Sequence, residues 1–226
     1  MHGVSQERAV AIARQGALLA LDGTFLGTAA GSAADGAVIA PPHPLYGGSM
    51  QSPVVNEIAY ACRKAGIASL RFDWRGVGAS AGEPSGSARD ADEDTAAALA
   101  HLEETVSGEL LACGYSFGAA AALRAGAGCP RVTRLVLVSP PPDLLDPEAL
   151  ARFPGRVLVV TGEADAVAPA GQLAALAARA RHSRMRVIPD CEHFFVEGLA
   201  ELGRELSAWL GGGRQHHHEG GAAPGG

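Results

Sequence analysis

Gly114-Tyr115-Ser116-Phe117-Gly118 sets a serine hydroxyl between two glycines. An apolar run, Leu110-Leu111-Ala112-Cys113, leads into it, and an alanine-rich stretch, Ala119–Ala127, leads out. A turn this tight between a strand and a helix leaves no room for side chains at its glycines and lifts the serine above the strand ends. A hydroxyl is a weak nucleophile until a base takes its proton, so a histidine is needed downstream. His216, His217 and His218 sit in a glycine-rich tail, His2 lies at the N-terminus, and His101 and His182 fall in helical patterns. His193, in Pro189-Asp190-Cys191-Glu192-His193-Phe194-Phe195, follows the last strand pattern and can reach the serine from above. A third group must accept the imidazole N–H and steady its charge. Asp165 follows the strand pattern Arg156–Val160 and completes the chain order Ser, Asp, His. Asp143 and Asp146, after the preceding strand, and the nearby Glu163 and Asp190 remain alternatives for that role.

These side chains need elements to hold them. Short β-rich runs alternate with Ala/Leu helical patterns along the chain. Ala17–Leu21 and Phe25–Ala30, separated by Asp22-Gly23, read as a hairpin. Strands are expected over Ala37–Ala40, Ile67–Phe72, Leu110–Gly114, Val132–Ser139, Arg156–Thr161 and Met185–Ile188. The central ones are apolar on both faces, as parallel strands buried under helices must be. Ser52-Pro53 opens a helix that ends at Gly66, and Ser87 caps another whose buried face carries Leu99, Leu102 and Val106. Leu173, Leu176, Ala177 and Ala180 mark a further helix, and Leu199, Leu202, Leu206 and Leu210 the last. A hairpin followed by repeating strand–helix units predicts an α/β fold with a mostly parallel, doubly wound sheet.

Composition narrows the function. The 226 residues carry 18 Lys+Arg against 24 Asp+Glu, a net charge of −6, which argues against a nucleic-acid partner. Hydrophobic residues reach 47%, enough for one packed domain, expected over residues 1–210, and no apolar run approaches the roughly 18 residues of a membrane span. The tail 211–226 is rich in glycine and poor in apolar side chains, so disorder is expected there. Cys62, Cys113, Cys129 and Cys191 are scattered with no Cys-x-x-Cys pair, which reads as free thiols in a cytoplasmic protein. Gly76-x-Gly78-x-x-x-Gly82 imitates a dinucleotide fingerprint, but Glu83-Pro84-Ser85-Gly86 stands where its helix should start. Asp73 and Arg75 are instead expected to brace the loop beneath the nucleophile. No metal and no cofactor is expected.

Five segments together resemble the α/β-hydrolase superfamily: His43-Pro44-Leu45-Tyr46-Gly47-Gly48-Ser49-Met50, the run from Arg71 to Ser80, the serine turn, Gly162-x-x-Asp165 and His193-Phe194-Phe195. The likeness is greatest to small, lidless bacterial serine hydrolases of the esterase and dienelactone-hydrolase-like branch. It implies catalysis by Ser116, Asp165 and His193, with backbone N–H groups of Leu45 and Phe117 forming the oxyanion hole. It implies hydrolysis of small soluble esters or related acyl compounds through an acyl-enzyme, with thioester or aminoacyl-peptide cleavage, or a non-hydrolytic role, as alternatives. His43 is expected to order its loop by a hydrogen bond. Residues 140–155, with Pro140-Pro141-Pro142, Pro147 and Pro154, have room for at most one short helical turn where relatives insert a lid. An open site for short, soluble acyl groups is therefore expected.

Overall fold

In the computed structural model, residues 7–13, 20–28 and 34–212 are described. The expected tail from 213 onward, with His216, His217 and His218, and the stretches 17–19 and 29–30 of the expected hairpin lie outside them. The strands are β1 (Glu7–Ala13), β2 (Ala20–Leu26), β3 (Gly36–Ala40), β4 (Ala68–Phe72), β5 (Leu110–Tyr115), β6 (Val132–Val138), β7 (Arg156–Gly162) and β8 (Ser183–Ile188). They form one sheet in the order β1-β2-β4-β3-β5-β6-β7-β8. The pairs from β4 to β8 are parallel, whereas β1–β2 and β2–β4 are antiparallel.

The helices are α1 (Pro53–Lys64), α2 (Ala88–Thr105), α3 (Phe117–Ala127), α4 (Pro147–Arg152), α5 (Ala170–Ala177) and α6 (Leu199–Gly211). Two apolar layers hold them to the sheet. Val54, Val55 and Ile58 of α1 and Leu202 and Leu206 of α6 pack with Ile39, Leu111 and Val136 on one face. Leu99 and Leu102 of α2, Leu123 of α3 and Leu173 of α5 pack with Val38, Leu70, Leu110 and Leu135 on the other. The alternation of strand side chains between faces makes both layers possible from uniformly apolar runs.

Two expectations are corrected. The hairpin exists but lies earlier: Asp22 and Gly23 are inside β2, opposite Ala11 and Val10, not at a turn. Strand pairing against two neighbours overrides the local turn preference of Asp-Gly. The segment after β6 also holds more helix than one turn, with a 3-10 turn at Pro142–Leu144 and then the six-residue α4. Asp146 makes that helix possible by accepting the Glu148 and Ala149 N–H groups at 2.9 and 3.0 Å. No cap domain is built there.

Candidate active site

Ser116 is the one residue between β5 and α3, with φ 55° and ψ −123°. The two glycines explain how the chain reaches that conformation. A Cβ on Gly114 would lie 2.3 Å from the Gly118 carbonyl oxygen, and one on Gly118 would lie 2.3 Å from that of Pro41. Side chains at either position would force the strand, the helix and the loop after β3 apart.

The parallel strands deliver their following loops to the same end of the sheet, and the expected partners meet there. Ser116 Oγ lies 3.0 Å from His193 Nε2. His193 Nδ1 lies 3.0 and 2.9 Å from the two Asp165 oxygens. Asp165 Oδ1 also accepts the Val167 and Ala168 N–H groups at 2.9 and 2.7 Å, and Oδ2 accepts the Thr161 hydroxyl at 3.3 Å. Burial alone would raise the Asp165 carboxyl, but hydrogen bonds from His193, Ser139 and Ala168 outweigh it and hold it below the usual carboxylate range. The arrangement can pass a proton from hydroxyl to imidazole while a fixed negative charge stabilises the imidazolium.

The rival acids are placed elsewhere. Asp146 caps α4, Asp143 is exposed in the 3-10 turn, Glu163 accepts the Asp190 N–H at 3.2 Å, and Asp190 is exposed. His101 is half-buried on α2 and His182 is exposed. Cys191 is fully buried, and burial followed by the charges of Glu192 and Asp165 pushes its thiol up to about 11, which leaves it protonated and inert.

Tyr115 went unmarked by the sequence. Its hydroxyl donates to the His193 carbonyl oxygen at 2.9 Å, and its ring lies 5.6 Å from the imidazole. The residue before the nucleophile thus anchors the loop that carries the base. The bracing expected of Asp73 and Arg75 is present in two parts. Asp73 accepts the Met50 N–H at 2.6 Å, tying the loop after β3 to the loop after β4. Arg75 pairs with Asp90, Glu93 and Asp94 and so fastens its loop to α2.

The loop after β3 differs from expectation in one respect. Pro44–Tyr46 forms a 3-10 turn capped by His43, whose Nδ1 accepts the Leu45 N–H at 3.2 Å. Burial holds the His43 imidazole below its usual range, which favours the neutral ring that this bond requires. The Leu45 donor is therefore committed within its own loop. Tyr46 and Gly48 donate to the His43 carbonyl oxygen, and Pro41, Pro42 and Pro44 have no N–H at all. The His43 N–H has no acceptor among the described residues, and the His43 ring packs 4.6 Å from that of Phe117. The Phe117 N–H, first of α3, has no preceding helical turn to bond.

Comparison with known proteins agrees with this architecture. Residues 45–145 match the family described as serine aminopeptidase, S33. A protein of Agrobacterium tumefaciens, assigned provisionally to the α/β hydrolases, is similar with a TM-score of 0.81 and 29% identity, over 90% of this chain and 94% of that one. An α/β serine hydrolase homologue from Coxiella burnetii gives 0.77 and 27%, over 93% and 98%. A Xanthomonas campestris α/β serine hydrolase without a lid gives 0.74 and 26%, over 90% and 93%. Fold, serine turn and comparisons together give the chain the α/β-hydrolase fold, similar to that of small serine hydrolases without a lid.

Proposed function

We propose that the protein hydrolyses small, soluble esters through an acyl-enzyme. The observation that carries this is the continuous relay from Ser116 Oγ to His193 Nε2 at 3.0 Å and from His193 Nδ1 to Asp165 at 2.9 Å. Ser116 Oγ attacks the ester carbonyl carbon while its proton passes to His193 Nε2. The carbonyl oxygen, now an anion, is received by two backbone N–H groups, those of Phe117 and His43. His193 then protonates the departing alcohol, leaving an acyl group on Ser116. Water repeats the sequence: His193 takes its proton, the hydroxide oxygen bonds to the acyl carbon, and the carboxylic acid leaves as Ser116 regains its hydrogen.

The short segment between β6 and β7 supports an open site, so rates should fall as the acyl chain of a test ester lengthens. Amide cleavage is a second reading, favoured by the description of the matching family. A fluorophosphonate probe tests the common chemistry. The folded protein should label at Ser116, and Ser116→Ala should not label; an unlabelled wild type, folded and at neutral pH, would sink the proposal. A panel of matched p-nitrophenyl esters and anilides then separates the two readings by which bond turns over.

A further inference from the structure

Eight large hydrophobic side chains are exposed among the described residues, and six of them lie on loops at the carboxyl end of the sheet, the end that carries the serine. Leu45 and Tyr46 follow β3, Leu144 follows β6, Val167 follows β7, and Phe194 and Val196 follow β8. Tyr46 is 87% exposed and Phe194 70%, a costly placement for aromatic rings unless something apolar covers them. Neither ring is loose: Tyr46 packs 4.6 Å from His43 and Phe194 lies 5.6 Å from His193, edge to face. The two rings therefore sit against the residues proposed as oxyanion donor and base, His43 and His193.

The charges on these loops are one-sided. Residues 41–50, 139–146, 162–169 and 189–198 contain seven carboxylates and no lysine or arginine. Asp143, Glu163, Asp190 and Glu197 are exposed and Glu192 is half-buried. Glu192 is fixed by the Phe194 and Val196 N–H groups at 3.0 and 3.2 Å, so its charge stays beside the Phe194 ring. Arg75, the cation on the loop after β4, is enclosed by three acids of α2. Carboxylates of one sign around a reacting site repel an anion and favour neutral or cationic ligands. The faces of Tyr46 and Phe194 act in the same direction, because an aromatic face attracts cations.

Resting on the esterase reading, we infer that the site selects esters whose acyl part is apolar and either uncharged or cationic, and rejects anionic acyl groups. Tyr46 and Phe194 are the specificity-determining contacts, and the loop carboxylates are the charge filter. Three p-nitrophenyl esters of similar size test this: the neutral pentanoate, the glutarate monoester, whose free carboxylate is anionic, and 4-(trimethylammonio)butyrate, which is cationic. At low ionic strength kcat/KM should be lowest for the anion, by at least tenfold against the neutral ester, and the cation should equal or exceed the neutral one. The gap should narrow severalfold in 0.5 M NaCl, because salt screens the field. The variant combining Asp143→Asn, Glu163→Gln and Glu192→Gln should narrow it at low salt, and Phe194→Ala should lower the cation's advantage over the neutral ester. Turnover of all three at equal rates, or a gap indifferent to salt, overturns the inference while the esterase reading stands. Turnover of none overturns both. The salt series needs no variant, so the inference stays testable even if the triple substitution does not fold.

Discussion

The two ends of the sheet are built on opposite terms. At the amino end, Arg134 donates to Asp35 at 2.6 Å and lies 3.7 Å from Glu109, and Arg131 donates to the carbonyls of Glu103, Val106 and Gly108. Charges there meet partners, and helix α2 has its last carbonyls closed off. At the carboxyl end the backbone itself is strained. Ser116, Ser139, Asp190 and Phe195 are the non-glycine residues with positive φ among those described, and all four lie on loops leaving β5, β6 and β8. Such conformations cost on the order of 1–3 kcal/mol each and persist where the surroundings over-determine them. The paired end holds the sheet together so that the strained end can hold a serine and an imidazole within hydrogen-bond reach of each other.

On that division, removing a reacting or donor group at the carboxyl end should change rate, and breaking an ion pair at the amino end should change stability. The largest effect is expected from His193→Ala, which should reduce kcat/KM by roughly 10⁴-fold or more, on the scale seen when a triad member is removed. His101→Ala and His182→Ala, assayed alongside, should stay within twofold. Equal losses in the three would break the assignment.

Next comes the oxyanion donor. His43 has φ −62°, which proline adopts without strain. His43→Ala and His43→Pro both lose the ring, but only the proline loses the N–H. Proline should therefore be the slower in kcat by about 10²–10³-fold, with similar melting curves. Equal rates would return the role to another donor.

A pH profile sharpens the comparison further. His193 must be neutral to accept the serine proton, so kcat/KM should fall as acid is added. Asp165 is held below its ordinary value and stays ionised through that range. Because its folded-state pKa is depressed, its stabilising contribution is present above about pH 4 and is lost only as pH falls through the lower, folded value. A single acid limb is expected, to which Asp165 adds no second ionisation. Two ionisations within the limb would contradict the charge state given to Asp165.

Arg134→Met probes the other end. It should cost about 1–2 kcal/mol, or several degrees in Tm, because Asp35 and Glu109 remain partly solvated, and it should leave kcat/KM within twofold. Smallest of all, Asp190→Gly replaces an exposed residue at φ 52° and should raise stability by about 0.5 kcal/mol with activity retained. A loss of stability would mean that the Asp190 conformation is not strained.

The serine turn was legible because it depends on residue types at fixed spacing, whereas the strand–helix alternation and the Ser–Asp–His set were read from chain order and from positions just after apolar strand runs, which left several acids open beside Asp165. The displaced hairpin was not, since Glu7–Ala13 alternates too weakly to mark an edge strand, while Asp22-Gly23 carries a strong turn preference that pairing with β1 and β4 overrides. The oxyanion loop shows a different limit. That His43 would order its loop could be anticipated, but which N–H its ring would engage depends on the 3-10 turn around it. Tyr115 was invisible for a similar reason: its hydroxyl spans 78 residues of sequence to the His193 carbonyl, and nothing local records that reach.

The separation of the relay along the chain has a consequence for biosynthesis. Ser116 precedes His193 by 77 residues. At translation rates of about 5–20 residues per second, the serine is polymerised roughly 4–15 s before its base. Throughout that interval the nascent chain carries an ordinary, unactivated hydroxyl. Hydrolytic competence requires His193, which the chain after β8 carries, and β8 pairs with β7. An unfinished copy on the ribosome therefore cannot acylate itself on metabolites it meets, and a chain that stalls before residue 193 is chemically silent.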